Sequence, residues 1–386
     1  MPRLIRITTV PMALKHLLAG QMRYMKENGF DVLMVSADGE EREEVIQNEG
    51  CGHIIIPMTR KITPLADLRS LWRLYRVFKK EKPDIVHSHT PKAGLLAMLA
   101  AKYARVPVRI HTIAGLRFMT AKGFSRRVMI AMEKLTCRAA QHVWPNSFSL
   151  NQYILEKKLC KQDKLSVIGN GSTNGINLER FNERSLKPEI TENIKQKISY
   201  DSSLFYFLFV GRLVKDKGIE ELIGAFTAVS KEYDTVRLVL VGNPEAELDP
   251  LSTGITDIIQ THPAIIPVGW DNRVEYYFNL CNLFVFPSHR EGFPNVLLQA
   301  GALNCPVICS DIPGNIDVIE PGHTGLLYKV KNGDDLKEKL KFAFQNQEPV
   351  KQYAAALRKK IENNFDQRMV HQAVRNKYTE LLSETR

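Results

Sequence analysis

The chain has 386 residues, of which 44% are hydrophobic and 25% charged, the proportions of a folded globular protein. This length exceeds what one hydrophobic core usually supports, so we expect two domains. No apolar run approaches the roughly 18–20 residues that span a bilayer, and we expect no signal peptide. Six scattered cysteines do not form a disulfide framework, which indicates a reducing, cytoplasmic compartment.

The formal net charge of +11 is distributed unevenly along the chain. Residues 1–180 contain 29 lysines and arginines against 15 aspartates and glutamates, whereas residues 181–386 contain 24 against 27. The positive excess therefore lies in the first half. It indicates an anionic partner for that half (a lipid surface, a phosphorylated acceptor or a nucleic acid) unless it is only a solvated basic surface.

Short apolar runs alternate with amphipathic stretches in the first half of the chain. This pattern predicts strands at Leu4–Val10, Asp31–Ser36, Asp84–Ser88, Val108–Thr112 and Leu165–Ile168, and helices at Lys15–Asn28 and Lys92–Ala104. Strands that alternate with helices indicate βαβ units and a parallel sheet.

The alternation weakens between about Asn170 and Ser203, where we place the domain junction. It resumes with predicted strands at Phe205–Val210, Arg237–Val241, Ile265–Val268, Asn282–Phe286 and Pro306–Ser310, and with predicted helices at Lys217–Lys231, Pro294–Leu303 and Asp366–Thr385. We therefore predict an α/β protein with two Rossmann-like domains, residues 1–180 and 200–365, and a C-terminal helix in residues 366–386.

The segment FVGRLVKDKG (Phe209–Gly218) carries two basic residues at the end of a predicted strand. Arg212 follows that strand, and Lys217 lies five residues later, just before a helix. In a doubly wound sheet, ligands bind outside the carboxyl ends of the strands. Two cations beside a glycine at that edge suit a diphosphate, although a solvated charged loop has the same composition.

A second segment, FPSHREGFPNVLLQAG (Phe286–Gly301), carries a carboxylate just before a predicted helix. Pro294 suits the first helical position, and the unpaired amides of a first helical turn attract anions. Glu291 can accept hydrogen bonds from sugar hydroxyls, and Gln299 follows eight positions later within the helix. A carboxylate in such a turn is more often a simple helix-start charge, so the combination with the first segment is what indicates a site.

The two segments, in this order and at this separation, resemble family 4 of the retaining glycosyltransferases. GRLVKDKG is similar to the family's G-R-L…K-G segment, and EGFPNVLLQA to its E-G-F-P-N-V-x-x-E-A segment. The resemblance covers the entire chain. It implies the GT-B fold, in which an N-terminal acceptor domain and a C-terminal nucleotide-sugar domain, both Rossmann-like, face each other across a cleft, and a C-terminal helix crosses back to the N-terminal domain.

The resemblance also implies roles for individual residues. Arg212 and Lys217 hold the diphosphate of the donor, and Glu291 contacts hydroxyls of the transferred sugar. Gln299 stands where the family has a glutamate that binds the ribose, and its amide oxygen can still accept a hydrogen bond. The other implied donor contacts are Val268, Gly269, Gly292, Phe293, Pro294 and Asn295.

The first half departs further from the family pattern. The family's glycine-rich loop after the first strand is replaced by TTVPMALKHLLAGQ. His111, at the end of a predicted strand, matches a family position close to the reacting sugar. The resemblance therefore implies that it is catalytic, together with Arg212, Lys217 and Glu291. His87 and His89 share one face of a predicted strand, but no third ligand lies nearby and no D-x-D motif occurs. We expect no essential metal and no cofactor besides the donor substrate.

These features predict a retaining hexosyltransferase. It is expected to move a sugar from a nucleoside diphosphate, UDP by default, to a glycan or polyprenyl-pyrophosphate-linked acceptor in capsule or lipopolysaccharide synthesis. A nonhydrolysing sugar-nucleotide epimerase of the same fold is the nearest alternative, which the GRLVKDKG and EGFPN pair disfavours. A basic nucleic-acid-binding protein is a distant one, because we recognise no binding module, and we expect no nucleic-acid partner.

Two basic stretches of the first half suggest peripheral contact with the inner face of the plasma membrane. Residues 59–82 interleave eight basic residues with leucines and aromatic residues, and residues 117–134 do the same on a smaller scale. Such segments can lie in an anionic lipid interface. Alternatively, each is an ordinary helix whose apolar face packs on the sheet and whose basic face is solvated.

Overall fold

The computed structural model describes residues 1–59, 61, 63–245 and 249–385 of the chain. The chain divides into two compact units, one comprising Met1–Gly175 with Gln367–Arg386 and the other Ile176–Asp366. Residues 176–180, which were predicted to belong to the first domain, pack within the second unit, as do residues 181–199, which lie between the two predicted domains. The terminal Arg386 of the expected C-terminal segment lies outside the described residues.

The first unit is built on one six-stranded parallel sheet. Its strands are β1 (Arg3–Ile7), β2 (Asp31–Ser36), β3 (Gly52–Ile55), β4 (Ile85–His89), β5 (Val108–Ile113) and β6 (His142–Pro145). Its helices are α1 (Pro11–Leu17), α2 (Gln21–Glu27), α3 (Arg42–Glu49), α4 (Pro64–Glu81), α5 (Pro91–Ala104), α6 (Gly123–Ala139), α7 (Phe148–Glu156) and, from the end of the chain, α16 (Gln367–Glu384).

The second unit repeats this plan. Its strands are β7 (Phe205–Val210), β8 (Val236–Val241), β9 (Ile265–Gly269), β10 (Leu283–Phe286), β11 (Val307–Ser310) and β12 (Leu326–Tyr328). Its helices are α8 (Pro188–Lys197), α9 (Ile219–Glu232), α10 (Thr253–Thr261), α11 (Val274–Leu280), α12 (Asn295–Ala302), α13 (Asn315–Val318), α14 (Gly333–Gln345) and α15 (Gln347–Asn364).

Both sheets have the doubly wound strand order. The orders are β3-β2-β1-β4-β5-β6 and β12-β11-β10-β7-β8-β9, with the strands paired in parallel throughout the described register. Helices cover both faces of such a sheet, so its strands are apolar on both sides. In β7, Phe205, Phe207 and Phe209 enter one core and Tyr206 and Leu208 enter the opposite one.

Helix α16 returns to the first unit and completes one of its two cores. Val374, Tyr378 and Leu381 are buried in the same cluster as Leu4 of β1. The buried Arg6 guanidinium and the His87 ring both hydrogen-bond the Tyr378 hydroxyl. No helix among the described residues is long and apolar enough to cross a lipid bilayer.

Some predicted elements differ from the structure. The helix predicted at Lys15–Asn28 is two helices, because the left-handed conformation of Gly20 (φ +76°) interrupts the helical backbone between α1 and α2. Leu165–Ile168 was wrongly predicted as a strand, since Leu165 makes only an isolated bridge to Val143. Strands β3, β6 and β12, of three or four residues each, were not predicted.

Candidate functional site

The strand order of the second sheet places the two recognised segments side by side. β7 and β10 are adjacent in the sheet. The chain continues from β7 to β8 toward one edge of the sheet and from β10 to β11 toward the other edge. A doubly wound sheet opens a crevice at this switch point, outside the carboxyl ends of the two strands. Arg212 follows β7 and Glu291 follows β10, so both stand at the edge where such sheets bind ligands.

Backbone and side-chain contacts join the two segments directly. A 3-10 turn at Lys215–Lys217 precedes α9, and the Asp216 carbonyl in this turn accepts a hydrogen bond from the His289 amide at 2.8 Å. The Asp216 carboxylate pairs with the Arg290 guanidinium at 2.9 Å. At Gly218 (φ +68°), a Cβ atom would stand 2.1 Å from the Pro287 carbonyl oxygen, so only glycine permits this approach.

Lys217 and Glu291 form an ion pair at the centre of these contacts. Both side chains are largely buried, with 19% and 16% of their surface exposed. The Lys217 ammonium also lies 5.2 Å from the centre of the Phe286 ring, a favourable position for a cation. The Glu291 carboxylate accepts a further hydrogen bond from the Ser288 hydroxyl at 2.7 Å.

Arg212 is more exposed than Lys217 and pairs with Glu245, the last described residue before the gap at 246–248. The ends of β8 and β9 complete this side of the edge. The Gly242 amide donates to the Gly269 carbonyl at 2.8 Å, and the Trp270 amide donates to the Asn243 side chain at 3.0 Å.

Val268 and Gly269, two of the implied donor contacts, close β9 and therefore lie at the same edge of the sheet as Arg212. Trp270, which follows directly, is 64% exposed and presents an aromatic surface beside that pair.

Helix α12 begins at Asn295, with Pro294 as its N-cap residue, one position later than predicted. The Phe293 side chain is buried against Phe365, and its neighbours Gly292 and Pro294 are also buried. Gln299 lies within α12 and is partly buried.

His111 lies in the first unit, whereas all the other predicted site residues lie in the second. It is 2% exposed, and its ring packs so closely on Gly94 of α5 that a Cβ there would stand 2.3 Å from the ring. Its Nδ1 atom is 3.0 Å from the Ser88 hydroxyl. Burial lowers the pKa of His111 to about 4, which leaves the ring neutral at neutral pH. The structure therefore encloses this side chain in the core of its unit, and its catalytic role stays a prediction.

His87 and His89 share one face of β4, as predicted, with ring centres 4.2 Å apart. His89 lines a cavity of about 20 Å³ at the carboxyl ends of β4 and β6, together with Trp144 and Asn146. This volume is close to that of one water molecule. Among the described residues, no group of three or more histidine, cysteine or acidic side chains is arranged to hold a metal ion.

Several contacting residues were not singled out from the sequence. Asp216 and Arg290 lie in different quoted segments, 74 residues apart in the chain, whereas Ser288 bonds Glu291 only three residues later in the same segment. Glu245 lies outside both segments. Only the adjacency of β7 and β10 could have identified the Arg290–Asp216 contact in advance, because these two residues follow different strands of that pair. The bond between Ser288 and Glu291 lies within the loop after β10.

Two consecutive doubly wound units, with paired basic and acidic side chains at the switch point of the second, define a GT-B fold. Family models agree: residues 16–171 match the glycosyl transferase 4-like domain, and residues 190–363 match glycosyl transferases group 1. The chain is 35% identical to the capsular polysaccharide biosynthesis glycosyltransferase CapM of Staphylococcus aureus, over 96% of this chain and 95% of CapM. It therefore belongs to the GT-B glycosyltransferases of the bacterial polysaccharide type.

Two further similarities agree with this assignment. An Escherichia coli enzyme, UDP-Gal:alpha-D-GlcNAc-diphosphoundecaprenol alpha-1,3-galactosyltransferase, is 28% identical over 79% of this chain and 78% of its own length. The crystal structure of Anabaena HepE in complex with UDP-glucose superimposes with a TM-score of 0.81 at 16% identity, covering 98% of this chain and 100% of HepE. The chain is thus a glycosyltransferase enzyme, which decides against the epimerase and nucleic-acid alternatives.

Proposed function

We propose that this glycosyltransferase moves a hexose from a UDP-sugar to a polyprenyl-diphosphate-linked acceptor in the synthesis of a surface polysaccharide, with retention of anomeric configuration. The direct contact between the two recognised segments at the β7–β10 switch point carries the donor part of the proposal. The acceptor part is supported by the similarity to CapM and to the E. coli enzyme named for GlcNAc-diphosphoundecaprenol. The uridine part is supported by the HepE complex with UDP-glucose.

In the proposed reaction, the bond between the sugar's anomeric carbon and the donor phosphate breaks, and the acceptor oxygen attacks the same face. The leaving diphosphate gains charge, which Arg212, Lys217 and the first-turn amides of α12 stabilise. A diphosphate oxygen takes the proton from the acceptor hydroxyl. Glu291 holds a sugar hydroxyl, and Gln299 accepts a hydrogen bond from the ribose through its amide oxygen.

We further propose that transfer requires no divalent metal. Arg212 and Lys217 supply two positive charges at the edge of the sheet where a metal-dependent enzyme would hold the diphosphate through a cation. Transfer in the presence of EDTA should equal transfer with added Mg²⁺ or Mn²⁺. A loss of more than about tenfold with EDTA, restored by metal, would overturn this part of the proposal.

The donor proposal is tested first by binding and then by turnover. Thermal shift with UDP-, GDP- and dTDP-sugars should select one UDP-sugar, which is then supplied with GlcNAc-diphosphoundecaprenol as acceptor. We expect acceptor-dependent release of UDP and, by NMR, a product whose new linkage has the donor's anomeric configuration. Inversion at the anomeric carbon would remove the retaining mechanism, and a stronger response to GDP-sugars would remove the UDP assignment.

We also propose that the protein contacts the membrane surface peripherally through helix α4. Its core side is formed by Ser70, Leu74 and Phe78. Leu65, Leu68 and Trp72 are 79%, 65% and 55% exposed, and at 100° per residue they lie on the opposite side of the helix. An apolar stripe that the core does not use is what an interfacial helix buries among lipid headgroups.

Basic side chains flank this apolar stripe on α4. They are Arg69, Arg73, Arg76, Lys79 and Lys80, all of them exposed. The Arg76 guanidinium lies 4.7 Å from the centre of the Trp72 ring, so apolar and basic groups share one surface. Phe124 at the start of α6 is also 80% exposed. Arg60, the first arginine of the basic stretch, lies outside the described residues.

Sedimentation with phosphatidylglycerol-containing vesicles tests this surface. We expect binding at low salt that weakens several-fold at high salt, because each surface charge near anionic lipid contributes on the order of 1 kcal/mol. The Leu68→Ser/Trp72→Ser double variant should lose most binding, whereas Tyr103→Ser, which removes an exposed aromatic ring from α5, should not. Equal binding by both variants would contradict the α4 surface.

A further inference from the structure

The two oxygens of the Glu291 carboxylate have different surroundings. Oε1 accepts hydrogen bonds from both the Lys217 ammonium and the Ser288 hydroxyl. Oε2 has no hydrogen-bond partner among the residues the structure describes. A carboxylate held through one oxygen by two donors presents the other oxygen in a defined direction.

The Ser288 hydroxyl has one proton and three acceptors within reach. Glu291 Oε1 is closest at 2.7 Å, and the carbonyl oxygens of Arg290 and Asp216 follow at 3.2 Å and 3.4 Å. A carboxylate is the stronger acceptor and makes the shorter bond. The hydroxyl proton is therefore committed to Glu291.

Ser288 itself is fixed by a buried chain of hydrogen bonds. Its carbonyl accepts from the Ser310 hydroxyl at the end of β11. The Asn315 side chain in turn donates to the Ser310 carbonyl at 2.9 Å. Ser288, Ser310 and Asn315 are all fully buried, so this chain links Glu291 to the interior of the sheet rather than to solvent.

We propose that Ser288 is a positioning residue for donor recognition: its hydroxyl fixes Glu291 Oε1, so that Oε2 is directed at a hydroxyl of the donor sugar. The proposal rests on the donor role of Glu291 proposed above. It separates sugar recognition from nucleotide recognition, because UDP lacks the transferred sugar whose hydroxyl would donate to Oε2, and its ribose hydroxyls are assigned to Gln299.

Calorimetry and steady-state kinetics on the full chain test this. The probes are UDP and the UDP-sugar that the wild-type protein binds most tightly in the panel above. We expect Ser288→Ala to lower kcat/KM for the UDP-sugar about tenfold and its affinity in parallel, with the affinity for UDP changed less than about twofold. Ser230→Ala, which removes a helix hydroxyl bonded to the Thr227 carbonyl at 3.1 Å, is the matched control and should match the wild type.

A double-mutant cycle with Glu291→Gln distinguishes positioning from general packing. If Ser288 acts through Glu291, adding Ser288→Ala to Glu291→Gln should cause little further loss. Ser288→Cys, which keeps the volume but donates weakly, should fall between wild type and alanine, and it replaces the alanine variant if that variant has a lowered Tm.

Three results would overturn the proposal: equal loss of UDP and UDP-sugar affinity, additive effects in the cycle, or wild-type kinetics in Ser288→Ala. These are distinguishable from failure of the proposed function. If the wild-type protein binds neither UDP nor any UDP-sugar, the donor site falls, and the role of Ser288 falls with it.

Discussion

At the scale of single residues, the basic side chains of the site already have carboxylate partners. Arg212 pairs with Glu245, and Lys217 pairs with Glu291. If a diphosphate binds here as proposed, it replaces or shares those partners, and each cation is already held in place before the ligand arrives. Preorganised charges of this kind need little rearrangement when charge develops on a leaving group.

Removing either cation should therefore damage transfer without damaging the fold. We expect Arg212→Ala and Lys217→Ala each to lower kcat roughly 10²–10³-fold, because each removes a charge-assisted contact to the leaving group. Far-UV circular dichroism and Tm should stay close to wild type. Lys215→Ala is the control: it lies on the same turn, but its ammonium is half exposed and 4.0 Å from Glu220. Unchanged activity in Arg212→Ala or Lys217→Ala would remove that residue from the diphosphate site.

At the scale of secondary-structure elements, the site depends on how closely the turn before α9 approaches the loop after β10. Gly218 lies at that approach, with a left-handed backbone conformation and the Pro287 carbonyl directly beside it. A side chain at this position would be strained by its φ angle and would also collide with backbone, which cannot move aside as a flexible side chain can.

Gly218→Ala should accordingly separate the two segments. We expect a loss of about 2 kcal/mol or more in the free energy of unfolding and a loss of transfer larger than the change in stability explains. Denaturant unfolding and turnover at saturating donor measure the two effects. Gly224→Ala in α9 is the matched control, since nothing lies within 4 Å of its added methyl. That variant should gain stability of roughly 0.5–1 kcal/mol. Full activity in Gly218→Ala would show that the close approach is dispensable.

At the scale of the whole molecule, the two units share a sheet topology but differ in their buried chemistry. The first unit buries four histidines, His87, His89, His111 and His371, all with pKa values lowered by burial. The nearby Arg6 guanidinium lowers the pKa further for His87, His89 and His371. These rings fold in the neutral form, so acid opposes the folding of this unit.

The first unit should lose stability as the pH falls from about 6.5 toward 4. In that window the unfolded histidines bind protons that the folded ones do not, so the free energy of unfolding decreases with falling pH. Glu133, whose pKa burial raises to about 7, opposes the trend but is outnumbered by the histidines. Scanning calorimetry from pH 7.5 to 5 should show that the transition temperature of this unit falls as the pH is lowered.

His371→Gln isolates one of these contributions. Its ring packs on Tyr24, and its Nε2 atom is 2.8 Å from the Asn174 side chain, a contact that a glutamine amide can also make. Because burial lowers the pKa of His371 to about 4, this residue alone should account for about 2 kcal/mol between pH 6.5 and 5. The variant's transition should therefore be less sensitive to acid. If the transition temperatures of the wild type and His371→Gln fell equally with pH, this assignment would be contradicted.

Much of the architecture was available from local sequence patterns. The apolar runs of β2 and β7 were predicted with the bounds that the structure has, because a buried parallel strand is apolar along its whole length. Three or four residues carry little periodicity, so short strands were predicted unevenly: β10 and β11 were found, whereas β6 (HVWP) and β12 (LLY) were not. The start of α12 was predicted one position too early, at Pro294, since proline suits both the N-cap and the first turn of a helix.

The sequence by itself determined that this protein has two α/β domains, and it singled out Arg212, Lys217 and Glu291 as candidate site residues, because strand alternation and the two segments are local features of the chain. The tertiary structure decided what those residues contact: the adjacency of β7 and β10 brings Lys217 to Glu291 and Arg290 to Asp216. It also enclosed His111 against Gly94 and turned Leu68 and Trp72 of α4 away from the core. These outcomes depend on which strands become neighbours and on the side of each helix that meets the sheet, and both are fixed by contacts between residues far apart in the chain.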